Sequence, residues 1–274
     1  MRSIMLCNDA NSVHYVYSDE MLQQLAEIAG LDAEIYSRDA VLAAPEAFAD
    51  VDYAFSTWGM PAFEEAEIQQ LFPSLKAVFY GAGSVQAFAR PFLNCGVKVF
   101  SAWAANAVPV AEYTVAQIIL ANKGFFLTSR LHKAYDHEAS YDIRRKYPGN
   151  YGASIGIIGA GMIGKLVIQM LKNYHLPVKV FDPFLPDETA AELGVPKCSL
   201  EEVFSTCQVV SNHLANNEQE ELNCSTTART PQNITFITNR HHKNHIGIFG
   251  YSPGQTKAHN DSQPTEVPKC TPKT

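Results

Sequence analysis

One stretch constrains this chain more than any other: Ser154 to Lys165, read SIGIIGAGMIGK. Ile155, Ile157 and Ile158 form an apolar run the length of one buried strand. Gly159, Gly161 and Gly164 then supply G-x-G-x-x-G. Beyond them Ile163, Leu166, Val167, Met170, Leu171 and Tyr174 recur at helical spacing, so strand, glycine turn and helix follow in order. In such a unit the first glycine makes the tight turn. The second lets the backbone approach a pyrophosphate, and the third lets helix and strand pack closely. The unpaired N–H groups of the helix's first turn complete an anion site.

A second strand, Pro177 to Phe181, ends in Asp182, 18 residues past Gly164. A carboxylate there accepts ribose hydroxyls and repels a 2′-phosphate, which specifies NAD rather than NADP. The competing reading is a glycine-rich turn in an unrelated α/β protein, with Asp182 as a strand-end cap. It does not explain why all the parts occur in sequence.

Short strand candidates precede this unit: Ser3 to Cys7, Ala33 to Tyr36, Val51 to Phe55, Ala77 to Tyr80 and Val97 to Phe100. Helical stretches at Asp19 to Ala29 and Glu64 to Leu71 lie between them. In the first of these, Met21, Leu22, Leu25, Ile28 and Ala29 share a face, and Gly30 ends it. Strands alternating with helices make an open parallel sheet. Gly81-Ala82-Gly83-Ser84 closes one strand where such sheets bind ligands, with small residues that leave N–H groups open to an anion. A plain turn reads equally well there. Pro109 to Phe126 is a long apolar helix, with Pro109 in its first turn, where a missing N–H costs nothing. After Asp182 come helices at Glu188 to Leu193 and Leu200 to Thr206. A strand at Gln208 to Asn212 then enters His213.

From Asn216 on, only 8 of 59 residues are Leu, Val, Ile or Phe, a composition that favours disorder. Ile234 to Ile237 and Ile246 to Phe249 are the only strand candidates in this tail. His241, His242 and His245 read as chance residues of a polar tail, so no metal is expected. Six cysteines without C-x-x-C spacing read as reduced thiols, which points to the cytoplasm. The basic triplet Arg144-Arg145-Lys146 reads as a solvated loop, so no nucleic-acid surface is expected. No stretch approaches a membrane span.

Four stretches together resemble the D-isomer-specific 2-hydroxyacid dehydrogenases, the group that includes phosphoglycerate and formate dehydrogenases. They are Tyr80 to Val85, Ala104 to Thr114, the glycine motif with Phe181-Asp182-Pro183, and Val209 to Leu214. The resemblance implies two Rossmann-like parallel-sheet domains with a cleft between them: a substrate domain over 1–103 and an NAD domain over 104–215. The divergent tail over 216–274 leaves the second incomplete. It implies that Ala82, Gly83 and Ser84 hold the substrate carboxylate, and that Asn106 and Thr114 lie near the nicotinamide. Met162 and Ile163 would donate N–H to the pyrophosphate. His213 would sit under the cofactor, outside catalysis.

Family catalysis needs an Arg that polarises the carbonyl, and a Glu-oriented His that moves the proton. Past Asn216 only Phe236 to Arg240 echoes the Arg strand, with His241 where Gly belongs, so Arg240 is a weak candidate. Ala215 stands where the family has proline. The tail reads as truncated or frameshifted, and the missing closing segment should leave apolar surface bare. Two functions follow: NAD-dependent hydride transfer between a nicotinamide and a small 2-hydroxy or 2-keto acid, in a chain that lacks the full catalytic set, or a non-catalytic NAD-binding module of the dinucleotide-sensing, corepressor type. The long helix suits a homodimer contact.

Overall fold

The computed structural model describes residues 1–147 and 149–214, with the backbone of two strands at 235–238 and 247–250. The first half is a five-stranded sheet of β1 (Ser3–Leu6), β2 (Leu31–Tyr36), β3 (Tyr53–Ser56), β4 (Ala77–Tyr80) and β5 (Lys98–Ser101). Its order is β2-β1-β3-β4-β5 and every pair is parallel. The helices are α1 (Ala10–Val16), α2 (Asp19–Ala29), α3 (Arg38–Ala43), α4 (Glu65–Leu71) and α5 (Ala89–Asn94). Side-chain caps start several of them: Asp9, Ser18 and Ser37 each accept a first-turn N–H. Gly30, in the left-handed region at φ 61°, ends α2.

The two faces of this sheet differ. Ile4, Leu6, Ala54, Val78 and Tyr80 pack in one cluster with Phe48, Phe63, Phe72 and Phe92. On the other face Met5 packs with Val13 and Tyr17 of the α1 segment. Register sets Phe55, Phe79 and Phe100 side by side there, and their rings stack at 5.3 and 5.2 Å. Phe100 stays 50% exposed. α2 is less buried than its pattern predicts. Leu22, Leu25 and Ala29 turn inward, while Met21 and Ile28 are exposed.

The second sheet runs β10-β9-β8-β6-β7, built from β6 (Ile155–Ile158), β7 (Val178–Phe181), β8 (Val209–Asn212), β9 (Thr235–Thr238) and β10 (Gly247–Gly250). Pairs are parallel except β9 with β10. A bridge joins Lys197, which lies outside the named strands, to Val180 of β7. Both strand candidates of the tail therefore enter the sheet, each shifted by one residue.

Five further helices complete the fold: α7 (Phe125–Lys133), α8 (His137–Arg145), α9 (Met162–Leu171), α10 (Asp187–Leu193) and α11 (Leu200–Thr206). The long helix α6 (Trp103–Asn122) precedes them and corrects two expectations. It begins six residues earlier than expected, so Pro109 lies inside it, where proline leaves the carbonyl of Ala105 without its helical donor. It ends before Gly124, whose left-handed φ of 64° separates α6 from α7. With 20 residues and few charges, α6 also meets the length and composition of a membrane span. Its Ala111, Val115, Ile118 and Ala121 instead pack in one core with Ile155, Ile157 and Val167.

Candidate functional site

The second sheet reverses its strand order at β6, which is flanked by β7 on one side and β8 on the other. Open parallel sheets bind ligands at the carboxyl ends of strands where the order reverses. Gly159 follows β6 and His213 follows β8. Gly159 has φ 86°, and a Cβ on it would stand 2.9 Å from the Leu214 nitrogen. Only glycine lets this turn lie against the 213–214 loop. At Gly164 a Cβ would fall on the Gly159 carbonyl oxygen. At Gly161 it would meet no protein atom within 4 Å. Gly161 caps α9 through no side chain, and the first intrahelical bond in α9 is Lys165 N–H to Gly161 O. Met162, Ile163 and Gly164 thus start the helix without intrahelical acceptors. An open space beside N–H groups that have no acceptor among the described residues, at a helix N-terminus, fits a pyrophosphate.

Asp182 is held at this turn. Its Oδ2 accepts the Ala160 N–H at 2.7 Å and its Oδ1 accepts the Phe184 N–H at 2.8 Å. A carboxylate has about four acceptor positions, so two backbone bonds leave capacity for vicinal hydroxyls. Neither backbone partner was legible beforehand, because both depend on the turn's shape.

His213 donates its backbone N–H to Ile158 O at 2.7 Å. Its Nε2 lies 3.0 Å from Ser211 Oγ, while Nδ1 is buried without a partner among the described residues. Burial lowers its pKa to about 4, so the ring is neutral at pH 7.

The loop after β4 lies beside the end of β3. Gly81 N–H donates to Ser56 O at 2.7 Å. Ser101 Oγ sits 2.6 Å from Gly83 O and 3.0 Å from Ala82 O, sharing its proton between them. In a trans peptide the N–H points opposite to the carbonyl of the preceding residue. The N–H groups of Gly83 and Ser84 therefore point away from Ser101, and neither donates to an acceptor among the described residues. Ser101 was not among the expected site residues, and its part becomes visible only in this hydrogen bonding. Asn106 reaches the loop from α6, its Nδ2 3.1 Å from where a Gly83 Cβ would stand. Thr114 is buried, with Oγ1 donating to Val110 O at 2.8 Å. Arg240 and the tail histidines lie outside the described residues.

A family model for "D-isomer specific 2-hydroxyacid dehydrogenase, NAD binding domain" matches residues 116–250. Residues 116–250, just under half of the chain, are thus similar to the NAD-binding domain of that family. Its cofactor is NAD. D-3-phosphoglycerate dehydrogenase of Bacillus subtilis is 32% identical over 147 residues, 52% of this chain and 27% of that protein. D-lactate dehydrogenase of Escherichia coli is 31% identical over 121 residues, 43% of this chain and 35% of that one. The matched stretches thus span well under half of these relatives. Among solved structures, apo D-lactate dehydrogenase from Escherichia coli superposes with TM-score 0.55 at 23% identity, covering 80% of this chain and 66% of that one. Formate dehydrogenase from Staphylococcus aureus in complex with NAD gives 0.59 at 17%, covering 80% and 66%. These two likenesses show the shared two-sheet fold.

Proposed function

We propose that this chain binds NAD at the crevice between β6 and β8 and holds a 2-hydroxy or 2-keto acid at Gly81 to Ser84. The observation that carries this is a pair of N–H clusters without acceptors among the described residues, one at the start of α9 and one at Gly83 and Ser84. In this reading Met162 and Ile163 donate to the pyrophosphate, and Asp182 accepts the ribose hydroxyls. The N–H groups of Gly83 and Ser84 take the substrate carboxylate. Asn106 and Thr114 belong to the nicotinamide end. The neutral His213 floors the crevice and stays out of proton transfer. When bound, the nicotinamide gives or takes a hydride at the substrate carbon.

Residues 1–103 form the substrate unit in this assignment and 104–215 the core of the NAD unit. The outward face of α6 makes a homodimer. Free Cys7, Cys95, Cys198 and Cys207 support a reducing, cytoplasmic setting. Arg240 remains the weak candidate for the carbonyl-polarising arginine, and turnover is slow. The test is calorimetry with NADH and NADPH, followed by pyruvate titrated into the NADH-bound protein. NADH binding tightly, NADPH weakly and pyruvate detectably is the expected result. Equal affinity for both cofactors overturns the Asp182 role. NADH binding without any keto acid overturns the substrate role of the loop.

A further inference from the structure

The first sheet has a reversal point of its own. In the order β2-β1-β3-β4-β5 it falls between β1 and β3, so the crevice opens between the loops after those strands. The two loops are laced together there. Cys7 Sγ, a thiol kept protonated by burial, lies 3.2 Å from Trp58 O, and Asn8 N–H donates to Gly59 O at 2.8 Å. Their outer side is aromatic. The Trp58 ring lies 5.8 Å from that of Tyr15, on α1. Neither is a core residue: Trp58 is 39% exposed and Tyr15 81%.

The segments that carry this pair are tied to the candidate carboxylate loop through Ser56 and Tyr17. Trp58 is two residues past Ser56, whose carbonyl accepts the Gly81 N–H at 2.7 Å and the Tyr17 hydroxyl at 3.0 Å. Burial pushes the Tyr17 phenol up to about 12, so it stays a donor. Its ring closes against Gly81, where a Cβ would come within 2.6 Å of the hydroxyl. The arginine and the carboxylate at this end are committed. Arg38 donates to Glu67 at 2.5 Å and to Ala62 O at 3.0 Å. Asp9 caps α1 with its carboxylate. His14 stands exposed beside Tyr15.

We propose that Trp58, backed by Tyr15, is the shelf that receives the substrate's side chain, and that it selects a bulky apolar one, branched or aryl, over a phosphorylated one. The inference rests on reading Gly81 to Ser84 as the carboxylate loop. With the carboxylate held there, the remainder of the acid extends over an aromatic surface whose neighbouring arginine, Arg38, is already paired with Glu67.

Calorimetry on the NADH-saturated chain tests this with pyruvate, 4-methyl-2-oxopentanoate, phenylpyruvate and 3-phosphohydroxypyruvate. Phenylpyruvate and 4-methyl-2-oxopentanoate should bind about tenfold tighter than pyruvate, and the phosphorylated acid no tighter than pyruvate. Trp58→Ala should bring the phenylpyruvate-to-pyruvate ratio close to one, while Trp58→Phe keeps most of it. The chain has two tryptophans, Trp58 and Trp103. Trp103→Phe therefore isolates Trp58, whose emission phenylpyruvate should quench and pyruvate should not, an assay independent of how Trp58→Ala folds. Tightest binding of the phosphorylated acid overturns the inference, as does an unchanged ratio in Trp58→Ala. In both cases the carboxylate loop survives, because pyruvate still binds. Failure of all four acids to bind would remove the loop reading and the shelf together.

Discussion

At the scale of single residues, the three glycines of the motif answer to different demands, and substitution should separate them. A Cβ at Gly164 collides with the Gly159 carbonyl, whereas one at Gly161 enters open space. Gly164→Ala should therefore cost about 1–3 kcal/mol of stability by overpacking. Gly161→Ala should leave stability within about 0.5 kcal/mol yet weaken NAD about tenfold or more, as denaturant melts and cofactor titration would show. Asp182→Ala should weaken NAD by about 1–3 kcal/mol and narrow its advantage over NADP, measured by titrating both. His213 makes the prediction about pH. Its folded pKa of about 4 lies below the unfolded value near 6.5. Between those values the unfolded chain binds more protons, so stability rises with pH. The contribution is complete above about 6.5 and lost as pH falls towards 4, at most about 3 kcal/mol. Urea melts across this range should show that slope, and His213→Asn should flatten it.

Among the elements, those with strong periodicity or a composed turn were legible from sequence alone. The motif strand, β7 and β8 fall within a residue of expectation, because buried runs and glycine turns leave little choice, while α9 ends at Leu171 and leaves Tyr174, expected on it, outside. The helices α1, α3, α5, α7 and α8 were not. They are six to nine residues long, too short for a sustained apolar stripe. α5 has no side-chain cap, and the signal of the others is the cap: Asp9, Ser37 and Asp136 accept first-turn N–H groups, and Gly124 stands ahead of α7. In the candidate site, the residue types were legible but their partners were not. The Asp182 bond to Ala160 and the Ser101 grip on the 82–83 carbonyls come from backbone shape. The start of α6 was misplaced because proline reads as a first-turn residue, while burial of α6 on the second core outweighs the hydrogen bond lost at Pro109. Its outward face carries exposed Tyr113 and Leu120 seven residues apart, continued by Phe125. This stripe suits a second copy of the chain. Sedimentation should find a dimer for the native chain and a monomer for Leu120→Asp, with the melting temperature little changed because Leu120 is exposed. A native monomer would remove the dimer.

For the molecule as a whole, binding and turnover are separable. Hydride transfer requires a bound nicotinamide, a bound acid, a cation on the carbonyl and a group that moves the proton. In the proposed function, the N–H groups at the start of α9 and at Gly83 and Ser84, with Asp182, serve the first two. For the others the sequence offers Arg240 alone, followed by His241 rather than Gly. Missing general acid–base assistance costs about 10²–10⁴-fold, and missing charge stabilisation at the carbonyl about 10²–10³-fold. From a typical turnover near ~10 s⁻¹, losing even about 10⁴ leaves on the order of 10⁻³ s⁻¹. NADH oxidation by the purified 274-residue chain with pyruvate, glyoxylate, hydroxypyruvate and phenylpyruvate should therefore fall at or below that rate, although NADH binds. Turnover of several per second would show that residues 216–274 supply both missing groups. Arg240→Ala would then abolish it, and His245→Ala would test the proton donor.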